Sequence, residues 1–192
     1  MNEARVLNVE AQEKTVMDYM ELCLAYDMAF DFDTKSGVMD IAYHTIYDDY
    51  AQLYFSDGGA FERAFMEYSD DVHEYGAQDS YFGILELIRL DIMHQIYLKH
   101  GLIEHPRNKY RRRGDYSGVL ECLQLAVDKD CMIDYYGNIV KIENTSPDRP
   151  PCTIVISMQR GRYMTGMYRR QGITIDVPDV KAVQKVLQEI NN

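Results

Sequence analysis

The sequence predicts an α+β protein. The expectation is a helical N-terminal lobe of about four helices, a mostly antiparallel four- to five-stranded sheet, and a C-terminal helix. Three observations predict it. Apolar residues before position 100 recur at helical intervals, the recurrence shortens to two after position 130, and the two patterns are segregated rather than alternating. The corresponding division is an acidic helical lobe (1–103), a basic connector (104–117) and a β-rich lobe with a closing helix (118–192).

The first helix is expected over 10–28, where Val16, Met20, Leu24 and Met28 form one stripe. A polar break follows at 31–37. The spacing predicts a second helix over 38–55, stopped at Asp57-Gly58-Gly59, and a third over 59–74 with Phe61, Phe65 and Met66 inward. A fourth, over 80–100, is the most apolar segment, with Ile84, Leu85, Ile88, Ile92 and Ile96 on one face and Gly101 as its C-cap. The basic stretch 104–116 is read as a loop. Asp115 or Ser117 then caps a short helix carrying Val119, Leu120, Leu123 and Val127.

Beyond it, 131–135 and 139–143 flank Tyr136-Gly137-Asn138, a hairpin signal. Residues 153–158 are rich in β-branched side chains and read as a strand; 162–168 and 173–177 read as two more. Pro178 opens a final helix with Val180, Val183, Leu187 and Ile190 inward. No internal repeat is visible.

The net charge is −11, and it is unevenly placed. Residues 1–99 hold 20 acidic and 6 basic side chains, and residues 100–192 hold 11 and 14. The acids are spread along the early segments rather than gathered in a tail, so they belong to a folded surface. There are 16 tyrosines and no tryptophan. Tyr43, Tyr47, Tyr50 and Tyr54 fall on one stripe of the second expected helix, beside Asp48 and Asp49. A polar N-terminus and the lack of a long apolar run point to a cytoplasmic protein. Cys23, Cys122, Cys131 and Cys152 form no C-x-x-C pair and read as buried free thiols.

The function class this favours is a protein-interaction module rather than an enzyme. Its most concrete form is an acidic, nucleic-acid-mimic-like inhibitor of a nucleic-acid-processing enzyme, binding a basic surface through Tyr47, Asp48, Asp49, Tyr50, Asp70, Asp71 and Glu74. No cofactor, metal site or membrane partner is implied, and the unequal halves also suit self-association into a homodimer. A second reading is a nucleic-acid- or nucleotide-binding module using Arg111, Arg112, Arg113, Arg160, Arg162, Arg169 and Arg170, interleaved with tyrosines. In size, acidity, tyrosine content and lack of a catalytic motif the chain resembles phage and mobile-element inhibitors, including anti-CRISPR and antirestriction proteins. Asp31-Phe32-Asp33-Thr34 is similar to the nucleophile loop of haloacid-dehalogenase-type phosphatases, which would imply a magnesium-dependent hydrolase at Asp31 and Asp33. That family needs a buried apolar strand before the first aspartate, where this chain shows a helical pattern.

Overall fold

A computed structural model describes residues 15–26, 28–42, 50–68, 71–76, 114–144, 146–147, 150–159 and 162–190. The chain order is α1 (Val16–Tyr26), β1 (Ala29–Asp33), β2 (Val38–Ala42), β3 (Tyr50–Phe55), β4 (Phe61–Tyr68) and β5 (Asp71–Gly76). It continues with α2 (Ser117–Val127), β6 (Cys131–Tyr136), β7 (Ile139–Asn144), β8 (Cys152–Gln159), β9 (Arg162–Arg170), β10 (Ile173–Val177) and α3 (Val180–Glu189).

The expected four-helix lobe with a four- to five-stranded sheet is overturned. The described residues hold three helices and one antiparallel sheet of ten strands, in the order β10-β9-β8-β7-β6-β1-β2-β3-β4-β5. The error lies in the first half, where the helices expected over 38–55 and 59–74 are replaced by β2 to β5. A spacing of four satisfies a helical face and a strand face alike, because four is also a multiple of two. The step from Tyr50 to Tyr54 fits a strand for that reason. The deciding signal is Asp40 between Met39 and Ile41, and Gln52 between Ala51 and Leu53: the flanking side chains are buried and the polar ones point away. The helix expected over 80–100, with its Gly101 cap, lies outside the described residues.

The second half follows its expected pattern closely. Gly137 and Asn138 both have positive φ (56° and 69°), the two-residue turn that a β6–β7 hairpin demands. In α2 the N-cap is Tyr116, with no side-chain cap; Asp115 Oδ1 instead accepts from the Ser117 N–H and hydroxyl. Asp179, rather than Pro178, begins α3, its carboxylate accepting from the Ala182 N–H at 2.8 Å.

One apolar core joins α1, α2 and α3 to a single face of the sheet. Phe30, Phe32, Met39, Ile41, Leu53, Ile133, Ile142, Ile154 and Ile156 fill it from the strands, and Tyr19, Met20, Leu123, Val183 and Leu187 from the helices. The alternate strand residues form the opposite face, which no described helix covers.

The structure also contains a repeat that the sequence conceals. A helix followed by a five-stranded meander occurs twice, and the two meanders join through β1 and β6. Asp31 is paired with Asp134 at that seam, a separation of 103 positions (134 minus 31). The same offset relates Val16 to Val119, Tyr19 to Cys122, Met20 to Leu123, Cys23 to Ala126, Met28 to Cys131, Phe30 to Ile133 and Phe32 to Tyr135, and every one of these is buried. Both meanders shift register in their third strand, at Tyr54/Phe55 and at Ser157/Met158. In each, the displaced N–H bonds a turn carbonyl: Phe55 to Gly37 and Met158 to Asn138, both at 2.8 Å. Burial is conserved between the units although few residue types are, which is why no repeat is visible in the sequence.

Candidate functional site: an acidic row on the open sheet face

The seam places like charges side by side. Strand register runs Lys141, Asp134, Asp31, Asp40, Gln52 across β7, β6, β1, β2 and β3 on the open face. Three aspartates therefore occupy neighbouring strands near the middle of the sheet. Like charges directly opposite each other destabilise a sheet. The Asp31 carboxyl is held above its usual range, first by partial burial and then by the fields of Asp134, Asp40 and Asp33. Lys141 opposes this only weakly. Its Nζ stands 2.7 Å from Glu143 and 3.7 Å from Asp134, so its closer engagement is with Glu143. Asp134 Oδ1 is shielded from water and has no hydrogen-bond partner among the described residues.

On one flank the row passes into a polar–aromatic relay. Gln52 Nε2 donates to Asp40 Oδ1 at 2.8 Å, and the Tyr54 hydroxyl donates to Gln52 Oε1 at 2.5 Å. The Arg63 guanidinium lies 4.4 Å from the Tyr54 ring centroid, and Tyr54 meets Phe65 edge to face at 5.7 Å. This fixes Asp40 and Gln52 in place while Arg63 is spent on aromatic rings. The other flank carries exposed Tyr136, Ile139 and Met167.

The sequence-derived candidates are distributed differently. Tyr47, Asp48, Asp49, Asp70, Arg111, Arg112, Arg113 and Arg160 lie outside the described residues, as do Tyr43 and the rest of the basic stretch 104–113. Tyr50 begins β3. Asp71 and Glu74 lie on β5, and Glu74 is exposed opposite Phe65. The tyrosine stripe is not helical where it is described, since Tyr50 and Tyr54 belong to a strand. Arg162, Arg169 and Arg170 are exposed on β9, but alternation sends Arg169 to the open face, opposite Thr153, and Arg170 to the helix side, opposite Cys152. Those two do not form one patch.

Asp31 and Asp33 share a face of β1. Asp33 accepts from the Lys35 N–H at 3.0 Å and the Ser36 hydroxyl at 2.9 Å, so it ties the turn to β2. Among the described residues, no group of three or more His, Cys, Asp or Glu side chains is arranged to hold a metal ion. All four cysteines are buried, and burial raises the thiols of Cys23, Cys122 (to about 12) and Cys152, which suppresses the reactive thiolate.

Asp31, Asp40 and Asp134 are the site residues that sequence reasoning missed as a set. The available signal was the alternation Asp31-Phe32-Asp33, but joining Asp31 to Asp134 requires the β1–β6 pairing. No protein-family model, curated protein or solved structure matches the chain. No helix among the described residues is long and apolar enough to cross a membrane.

Proposed function

We propose that this protein is an interaction module that binds a basic protein surface through its open sheet face, and that its partner is a nucleic-acid-processing enzyme which it inhibits. The observation carrying this reading is the row Asp134–Asp31–Asp40. Its mutual repulsion burdens the free protein and is relieved when cations from a partner approach. Asp134 Oδ1, without a hydrogen-bond donor among the described residues, favours the same kind of partner.

Charge density narrows the class. Side chains on neighbouring strands stand about 4.8 Å apart. Duplex DNA carries one charge per ~1.7 Å of axis, and a single strand one per ~3.4 Å. The row is closer to the single strand, so an enzyme with a single-strand-binding groove suits it better than one that grips a duplex. The flanking Tyr136 and Ile139 supply apolar contact area beside the charges.

The experiment is inhibition of purified single-strand-specific nucleases by the full chain, at low and raised salt. Salt-sensitive inhibition is expected, and the triple variant Asp31→Asn/Asp40→Asn/Asp134→Asn should lose it while keeping its circular dichroism spectrum. Undiminished inhibition by a folded triple variant would sink the proposal. Salt-sensitive binding of short DNA or RNA to the chain itself, lost in Arg162→Glu/Arg169→Glu, would favour direct nucleic-acid recognition instead.

A further inference from the structure

The two ends of the sheet are unlike. At one end β5 carries exposed Glu74, a charged residue of the sort that discourages edge-to-edge pairing. At the other, β10 reads Ile-Thr-Ile-Asp-Val, and Ile173 and Ile175 are 65% and 54% exposed. Both isoleucines lie on the helix side of the sheet with Val177, yet only Val177 is covered. Among the described residues no strand pairs with the outer edge of β10, and an unpaired edge beside an exposed apolar face is a template for another strand.

We infer that β10 pairs antiparallel with β10 of a second copy of this chain, about a twofold axis at Ile175, and joins the two sheets into one. The backbone selects this register. Gln171 and Gly172 have φ of 50° and 80°, forming a two-residue turn that closes on Arg170 and Ile173. The closing pair of such a hairpin exchanges both its backbone bonds, so Thr174 and Asp176 point their N–H and C=O groups outward. With Ile175 on the axis, Thr174 of each copy meets Asp176 of the other, and these outward groups bond one another. All five residues of β10 then overlap, with Ile173 facing Val177 of the second copy.

Charge supports the same choice. Moving the axis to Asp176 sets two aspartates directly opposite each other, and moving it to Thr174 shortens the overlap. Centred on Ile175, each Asp176 faces an uncharged threonine. One strand beyond that threonine, on the same face, is Arg169 of the second copy. The occupant is therefore a second copy, chosen by a strand that complements itself. This inference is independent of the acidic row, which lies on β6, β1 and β2, four or more strands from β10.

Sedimentation equilibrium on the full chain tests it, with circular dichroism to check folding. A concentration-dependent dimer is expected. Ile175→Lys should raise its dissociation constant roughly tenfold or more, by setting two ammonium groups across the axis. Thr174→Pro should do the same, because it removes an outward N–H and leaves the β9 bonds in place. Should Thr174→Pro not fold, Ile175→Lys decides the matter. Oxidative cross-linking tests the register. Ile175→Cys thiols meet across a non-hydrogen-bonded pair with Cα atoms ~4.5 Å apart, within disulfide reach. Ile173→Cys thiols lie ~14 Å apart and should not link. A chain that stays monomeric, a dimer unaffected by the folded variants, or cross-linking at 173 in preference to 175 would each overturn the inference.

Discussion

The two helix-and-meander units share a frame and fill it differently. In the first, the core beneath the strands is aromatic: Phe55 meets Tyr19 at 5.6 Å, Phe32 at 5.9 Å and Phe61 at 6.1 Å, all three edge to face. In the second, the strands contribute Ile133, Val140, Ile142, Ile154 and Ile156. The turns differ likewise. Four residues, ending at Gly37, join β1 to β2, whereas Gly137 and Asn138 alone join β6 to β7. A few large interlocking rings make one unit depend on single side chains. Many small branched residues spread the same burial over more positions in the other.

That contrast sets the largest expected effect. Phe55→Ala removes a ring with three aromatic neighbours and should cost about 3–5 kcal/mol. Ile154→Val, one methylene lost from the aliphatic core, should cost about 0.5–1.5 kcal/mol. Equilibrium urea unfolding of the two variants measures both. Equal losses would show that the aromatic cluster is not the weaker point.

A smaller effect separates the turns. Gly37 and Asn138 occupy corresponding positions, both with positive φ and both bonding a displaced N–H of the third strand. A Cβ at Gly37 would fall 2.3 Å from the Phe55 carbonyl oxygen, which is backbone and has little room to yield. Gly37→Asn should therefore destabilise by about 1–3 kcal/mol through overpacking. The reverse exchange, Asn138→Gly, should stay within about 0.5 kcal/mol, as an accessible turn substitution does. Thermal unfolding of the pair tests this, and a tolerated Gly37→Asn would make the two turns equivalent.

The same contrast explains what the sequence disclosed. In the second unit, β-branched residues, a Gly-Asn turn and apolar residues at helical spacing all argue for the same elements, and α2, β6 to β10 and α3 were legible from residues alone, although the caps of both helices were not. In the first unit, tyrosines and phenylalanines spaced by four met a helical template as readily as a strand, and Asp40 and Gln52 were too few to overturn it. The acidity was legible, but its arrangement was not. Opposing Asp31 with Asp134 needs a pairing across 103 positions, and no local pattern encodes that.

The smallest effect tests the place where the units meet. The folded chain raises the Asp31 carboxyl above its usual range, so it disfavours the charged form that the unfolded chain carries freely. Between the unfolded and folded values the native state binds more protons, and stability falls as pH rises through that window. The penalty is complete above the folded value and absent below the unfolded one. Asp31→Asn should thus stabilise the protein at neutral pH by about 0.2–1 kcal/mol, an amount suited to an exposed cross-strand pair. The gain should shrink as pH falls through the carboxylate range. Asp134→Asn should gain less, because Lys141 already offsets its charge at 3.7 Å. Denaturant unfolding of the three proteins at neutral and mildly acidic pH compares them. A loss of stability in Asp31→Asn at neutral pH, or a gain independent of pH, would mean that the seam is held by Asp31 rather than strained by it, and the case for a cationic partner would lose its physical basis.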